Sequence, residues 1–262
     1  MTRRVAVFGA GGRMGSTVCR AVWDDPAFEL VAVVDPHHSG IDLRQLCKID
    51  SELQIAYDAT ALLGEGVEVA VDFTEIGAAR QNARWCAENG VHFVAGTSGF
   101  TEEDFEELGK LFVDSNCVIV PNFAIGAVLM MRFAELAAPW FDTAEVIELH
   151  HDEKIDSPSG TAIATAQRMA AASAEWAPDP TRRENLAGAR GAEGAGGIRI
   201  HSVRLRGVYA HQEVVLGTTG QSLTIRHDTF DRSSFMPGVV LALKQVAERP
   251  GLTVGLDALL GL

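Results

Sequence analysis

The run from residue 5 to residue 35 constrains the fold of this chain more than any other. A short apolar segment, Val5-Ala6-Val7-Phe8, ends in Gly9-Ala10-Gly11-Gly12-Arg13-Met14-Gly15. Met14, Val18, Ala21 and Val22 then recur at helical spacing, and the pattern stops at Asp24-Asp25-Pro26. A second apolar, β-branched run, residues 28–34, ends in Asp35. Strand, glycine turn, helix, strand and acid in that order suit a dinucleotide. One glycine makes the turn, another lets backbone approach a pyrophosphate, and a third lets helix and strand pack closely. The helix N-terminus offers N–H groups and a positive dipole end to phosphate. The strict G-x-G-x-x-G pattern fails, because Met14 stands at its third glycine; G-x-x-G-x-x-G fits instead through Gly9, Gly12 and Gly15. Asp35, about 20 residues beyond Gly15, is spaced to bond the ribose 2′-OH of NAD. Position 36 is Pro and supplies no cation for a 2′-phosphate, while Arg13, His37 and His38 stand nearby as substitutes. NADH and NADPH therefore both remain open.

The same alternation continues to about residue 123. Apolar runs at 67–73, 91–95 and 117–120 each end in small or polar residues: Thr74, Gly96-Thr97-Ser98-Gly99 and Pro121-Asn122-Phe123. Thr101 with Asp104 reads as a capping box opening a helix. Continuous apolar strands between helices predict a parallel sheet covered on both faces. Residues 38–64 are weakly patterned and read as irregular connection with one short helix. After residue 124 the style changes: a long helix at 125–141, a strand at 145–149, a helix at 161–174, and a loop at 175–197 rich in Gly and Pro. Strands at 198–205, 213–216 and 222–226 and a last helix at 237–248 complete the reading. The fold class is α/β: a Rossmann-type parallel-sheet domain plus an α+β domain with a mostly antiparallel sheet. The boundaries place a dinucleotide-binding domain at 1–123, completed by 232–262, and a substrate-binding and oligomerisation domain at 124–231.

With 22 Lys+Arg against 35 Asp+Glu, the net charge of −13 argues against nucleic acid or an anionic membrane as partner. The longest greasy stretch, near 123–141, is interrupted by Arg132, Glu135 and Pro139 and falls short of a membrane span. The four cysteines, Cys19, Cys47, Cys86 and Cys117, show no metal or C-x-x-C spacing and read as buried thiols of a reducing compartment. A cytoplasmic protein without a metal is the expectation.

The most unusual stretch is 148–162, Glu-Leu-His-His-Asp-Glu-Lys-Ile-Asp-Ser-Pro-Ser-Gly-Thr-Ala. His150 and His151 at a strand end, with Lys154 close behind, gather proton-handling groups. Ser159 is a good N-cap, and Gly160 and Thr161 open a helix whose first-turn N–H groups suit a carboxylate or phosphate. A base, a cation and an anion cradle describe a small acidic substrate; a surface turn followed by an ordinary capped helix would leave the same pattern. His92 reads as a core histidine, and Arg190 as a solvated residue of the Gly-rich loop.

Taken together, the motifs at 9–15, 71–74 (Val-Asp-Phe-Thr), 96–100 (Gly-Thr-Ser-Gly-Phe), 121–126 (Pro-Asn-Phe-Ala-Ile-Gly) and 148–162 resemble those of the dihydrodipicolinate reductase family, and the likeness covers nearly the whole chain. The run from 201 to 232 resembles the actinobacterial branch. The resemblance implies NAD(P)H-dependent reduction of 4-hydroxy-tetrahydrodipicolinate, with loss of water, in the diaminopimelate route of lysine biosynthesis. It implies His150 as general acid/base and Lys154 as second proton donor. His151, Gly160 and Thr161, with Ser159 as their cap, would hold the cyclic dicarboxylate substrate. Gly9, Ala10, Gly11, Gly12, Arg13, Met14, Asp35, Gly96, Thr97, Ser98, Val120, Pro121, Asn122 and Phe123 would hold NADH or NADPH, and the assembly would be a homotetramer. Three positions depart from the family pattern: Ser98 replaces Thr but keeps the hydroxyl, Ser157 replaces Ala before Pro158, and Pro36 stands where many members carry Arg. Two rivals remain on residues alone: another two-domain nicotinamide enzyme such as an amino-acid dehydrogenase, and a non-catalytic NAD-sensing protein. The His-His-x-x-Lys and Pro-Ser-Gly-Thr pair speaks against both.

Overall fold

The computed structural model describes residues 2–262. The chain runs β1 (Arg3–Phe8), α1 (Arg13–Asp24), β2 (Phe28–Val34), α2 (Leu43–Cys47), β3 (Val69–Asp72), α3 (Ile76–Glu88), β4 (His92–Ala95), α4 (Glu102–Leu111) and β5 (Asn116–Ile119). It continues with α5 (Ile125–Ala137), β6 (Thr143–His150), α6 (Gly160–Ala172), β7 (Ala192–Glu193), β8 (Arg199–Arg204), β9 (Ala210–Thr218) and β10 (Gln221–Thr229). It closes with α7 (Met236–Gln245), β11 (Gly251–Val254) and α8 (Asp257–Leu260). Two compact units result, one of residues up to Phe123 together with Phe235–Leu262, the other Ala124–Ser234. The return to the first unit thus falls at 234/235 rather than 231/232. In the turn after β10, Asp231 accepts the Ser233 N–H at 2.7 Å.

The first unit holds a six-stranded sheet in the order β11-β5-β4-β3-β1-β2, with every pairing parallel. Parallel strands need helical crossovers, and these cover both faces, so the central strands are apolar throughout rather than alternating. Val5, Ala6, Val7, Val69, Ala70, Val71 and Phe93 are all fully buried. Removing Phe8 and Phe93 from water stabilises the unit by about 1.5–3 kcal/mol each. All four cysteines are buried and free. The capping box of α4 forms as read, with Thr101 N–H donating to Asp104 at 2.7 Å and Asp104 N–H donating back to the Thr101 hydroxyl at 3.3 Å. Arg80 on α3 binds the same carboxylate through two bonds of 2.7 Å, tying α3 to α4. His92 is a satisfied histidine: its Nδ1 accepts the Asn116 N–H at 3.0 Å. The edge strand β11 escaped the sequence reading. Gly251-Leu252-Thr253-Val254 is too short to carry a pattern, and it is a strand through its pairing with β5.

The second unit holds a five-stranded sheet in the order β10-β9-β6-β8-β7, antiparallel except for β6 and β8. Ala144, Val146 and Glu148 of β6 are buried, while the alternate residues Glu145, Ile147 and Leu149 are half-buried. The long helix expected at 125–141 stops at Ala137, and a 3-10 turn follows. Pro139 explains the break, since its ring clashes with the carbonyl four residues back and it has no N–H to donate. The Gly-rich loop is tied to the sheet. Arg190, expected to be solvated, binds Glu145 at 2.5 Å and Asp179 at 3.3 Å, and Arg199 binds Asp179 at 3.0 Å.

Candidate active site

His150 ends β6, and the residue that shapes its surroundings lies two positions earlier. Side chains two apart on a strand share a face. On the buried face Glu148 is fully shielded from solvent. Its Oε2 lies 2.5 Å from His150 Nδ1 and accepts from Arg204 Nη1 at 2.9 Å; its Oε1 accepts from Arg204 Nη2 at 2.9 Å and from the Ser159 N–H at 3.2 Å. Burial pushes the Glu148 carboxyl up, but Arg204, Ser202 and His150 together outweigh it and hold the group below its usual range. For His150 burial is the largest influence and lowers the value; the Glu148 bond and charge oppose it, and the Lys154 and Arg204 charges add to the lowering.

Beyond His150 the chain leaves the sheet, with Leu205 N–H still bonded to the His150 carbonyl at 3.0 Å and His151 N–H to Tyr209 O at 3.3 Å. The His151 and Tyr209 rings lie 6.0 Å apart. In the following turn Lys154 N–H donates to His151 O at 3.2 Å, and its ammonium holds both oxygens of Asp156 at 2.7 Å. Ser159 then caps α6, its hydroxyl accepting the Ala162 N–H at 3.2 Å. Gly160 is exposed, and a Cβ there would meet nothing within 4 Å. The Thr161 carbonyl accepts from Thr165, whose hydroxyl in turn accepts from the buried Gln212 amide at 2.7 Å, so the first turns of α6 are fixed to β9.

In the first unit the glycine turn has the geometry its spacing called for. Gly9 turns at φ +75°, which an L side chain rarely adopts, and a Cβ on Gly15 would lie 1.9 Å from the Gly9 carbonyl oxygen. Gly12 is the N-cap of α1 and provides no side-chain cap to its first turn. Asp35 is buried at the end of β2 and accepts N–H groups from Gly11 and His37, both at 3.0 Å. His38 stacks over Gly11, and its Nδ1 lies 3.1 Å from Asp35. At the end of β3 the fully buried Asp72 accepts from Thr74 N–H at 2.9 Å and Thr97 hydroxyl at 2.8 Å on one oxygen, and from the Asn82 amide at 2.8 Å on the other. The Phe73 and Phe123 rings meet at 5.7 Å, which brings the loop after β3 to the chain after β5. Val120 and Phe123 are buried, while Ser98 and Pro121 are exposed.

Residues 9–14, 35, 96–98 and 120–123 thus gather at the carboxyl ends of the parallel strands, and His150, Lys154 and 159–161 gather around the end of β6 in the second unit. Beside the glycine turn lies a cavity of about 350 Å³ lined by Gly9, Val34, Pro36, Tyr57, Asp58 and Trp85, among others. Tyr57 and Asp58 lie in the weakly patterned stretch, and no local signal marks them. Glu148 and Asp72 sat inside quoted motifs without a role. The period of two links Glu148 to His150, but nothing local announces Arg204.

Among the described residues no group of three or more His, Cys, Asp or Glu side chains is placed to hold a metal, and no helix is long and apolar enough to cross a membrane. Residues 3–123 match the family model described as dihydrodipicolinate reductase, N-terminus, and residues 126–260 match that for its C-terminus. A 4-hydroxy-tetrahydrodipicolinate reductase of Corynebacterium urealyticum is 46% identical over 266 residues, 99% of each chain. One from Streptococcus pneumoniae is also 46% identical, over 99% of this chain and all of its own. Among solved structures, a dipicolinate-bound dihydrodipicolinate reductase from Paenisporosarcina sp. TG-14 is 41% identical, covers 98% of this chain and 99% of its own, and superposes with a TM-score of 0.87.

Proposed function

The chain belongs to the dihydrodipicolinate reductase family, and from that premise we propose that it reduces 4-hydroxy-tetrahydrodipicolinate to tetrahydrodipicolinate with NADH or NADPH, with loss of water, in the diaminopimelate route to lysine. The observation that carries the assignment is local. One strand end and the turn after it bring together His150, Lys154 and the capped start of α6, with a buried carboxylate behind the histidine. The dipicolinate bound in the related structure is a cyclic dicarboxylate of the kind such a site suits.

The first unit fits a nicotinamide dinucleotide. Gly9 and Gly15 leave no room for side chains in the turn, and the Gly12 cap keeps the positive end of α1 available to a pyrophosphate. Gly9 to Met14 would meet the phosphates, Asp35 the ribose, and Gly96, Thr97, Ser98 and Val120 to Phe123 the nicotinamide end; the cavity bounded by Tyr57 and Trp85 suits the adenine. Bound there, the cofactor supplies the hydride, and the protein supplies position and electrostatics. Pro36 adds no charge beside Asp35, which supports use of NADH, while Arg13, His37 and His38 stand nearby as substitutes for a 2′-phosphate, His38 with its Nδ1 3.1 Å from Asp35.

In the second unit His150 would deliver the proton to the carbon next to the one that receives hydride. Lys154 would stabilise charge at the ring nitrogen and a carboxylate. His151, Gly160 and Thr161 would hold a carboxylate at the start of α6, positioned by Ser159; the open space over Gly160 supports close approach of a ligand. The half-buried Ile147, Leu149, Val203 and Val215 on one face of the sheet support assembly into a homotetramer. The test is loss of absorbance at 340 nm with NADH and then NADPH, the unstable substrate being made in place from pyruvate and aspartate semialdehyde by the preceding synthase. Oxidation dependent on that synthase is the expected result. A folded protein that binds NADH and oxidises neither cofactor would overturn the assignment.

A further inference from the structure

We propose that Glu148 is the positioning residue of this site: it holds the His150 ring by accepting its Nδ1–H, which leaves Nε2 as the atom that exchanges a proton with the substrate. The inference rests on the reading of His150 as acid/base, and it assigns a duty to a residue that would otherwise pass as a buried structural ion pair.

The geometry is that of a carboxylate with every lone pair engaged. Its two oxygens take His150 Nδ1, the Ser159 N–H and both terminal nitrogens of Arg204, and the Ser202 side chain adds a further bond. Neutral imidazole carries one N–H, and a carboxylate accepts only, so the Nδ1 contact selects the Nδ1–H tautomer. Arg204 does more than balance charge. Its Nη2 also donates to the Asp156 carbonyl at 2.7 Å, at the end of the turn that carries Lys154. One buried carboxylate therefore joins the histidine ring, the first residue of the helix cap and, through Arg204, the lysine turn. Burying an ion pair this deeply costs desolvation and contributes little net stability, so its worth lies in the arrangement it imposes.

The charged groups facing His150 are Glu148 on its own strand, Lys154 in the turn and Arg204 on β8; opposite it on β9 stands Ala210, which does not titrate. Glu148 alone among them favours the imidazolium. Without it the ring would lose its proton at lower pH, and a proton donor would fail sooner as pH rises.

The test uses the full chain, labelled with ¹⁵N-histidine and assigned through His150→Gln. In the wild-type protein neutral His150 is expected to show a protonated Nδ1 and a free Nε2. In Glu148→Gln the high-pH limb of kcat/KM should move to lower pH, and kcat should fall on the order of 10–10³-fold, with a smaller change in the dissociation constant of dipicolinate. Arg204→Gln leaves the carboxylate and removes an opposing charge, so the same limb should move the other way; this arm stands even if Glu148→Gln does not fold. A protonated Nε2 in the neutral wild-type ring overturns the proposal. So does an equal loss of rate at every pH with the limb unmoved, which is the mark of a structural role. Near-wild-type turnover in His150→Gln overturns the acid/base reading instead, and the tautomer measurement still reports on the Glu148 contact.

Discussion

The Thr97 hydroxyl donates to Asp72 at 2.8 Å, joining the end of β3 to the loop that follows β4. Both loops belong to the first unit, and Asp72 collects their donors from a fully buried position. Asp72→Ala would take the acceptor from the Thr74 N–H and the Asn82 amide and leave the Thr97 hydroxyl only its longer bond to the Thr74 carbonyl at 3.3 Å. The expected loss is about 2–4 kcal/mol of unfolding free energy, since each unsatisfied buried donor costs about 1–3 kcal/mol before relaxation. Thr97→Val removes one donor and should cost about 1 kcal/mol. Urea unfolding checks both, and equal effects of the two variants would contradict this account.

Two glycines should separate stability from binding. Gly15→Ala places a methyl 1.9 Å from the Gly9 carbonyl, so it should force α1 off the strand, lowering the melting temperature and weakening NADH binding at least tenfold. Gly160→Ala meets nothing within the chain and should leave melting within a few degrees of wild type while raising the KM for substrate. An unchanged KM in Gly160→Ala would remove that residue from the substrate contact.

The Arg80 guanidinium beside Asp104, with the Thr101 bonds, holds the Asp104 carboxyl down at about 2 against the usual 3.8. A depressed folded value means that the unfolded chain takes up this proton first. The stabilisation is therefore present above about pH 4 and is lost as pH falls from there towards 2. It is on the order of 1–2 kcal/mol. The stability gap between wild type and Asp104→Asn, followed by thermal melting from pH 6 to pH 2.5, should narrow across that window. A constant gap would contradict the assignment.

Pro36 is exposed beside Asp35 and next to the cavity. Pro36→Arg puts a guanidinium where a 2′-phosphate would lie, so the ratio of kcat/KM for NADPH over NADH should rise by on the order of tenfold. Fluorescence titration of both cofactors should show the same shift in affinity. No change in either measurement would place the 2′ position elsewhere.

What the sequence determined by itself was whatever short-range chemistry decides. The glycine turn, the acid ending β2, the capping box at Thr101 and Asp104 and the Ser159 cap were all legible, because each depends on residues within one turn of each other or on the period of a single element. The alternation of strand and helix was legible because a sheet covered on both faces demands apolar strands. Glu148 could have been joined to His150, since two residues on a strand share a face. Tertiary structure alone decided the rest. Arg204 reaches Glu148 because β6 and β8 pair in parallel, more than fifty residues apart in sequence. Tyr57 and Asp58 reach the cavity across an irregular connection, Arg190 finds Glu145 from within a loop, and β11 is a strand because β5 offers it an edge. Side-chain type and spacing encode local geometry, but which buried charge meets which partner is set by sheet register and chain closure, and neither is written in any short window.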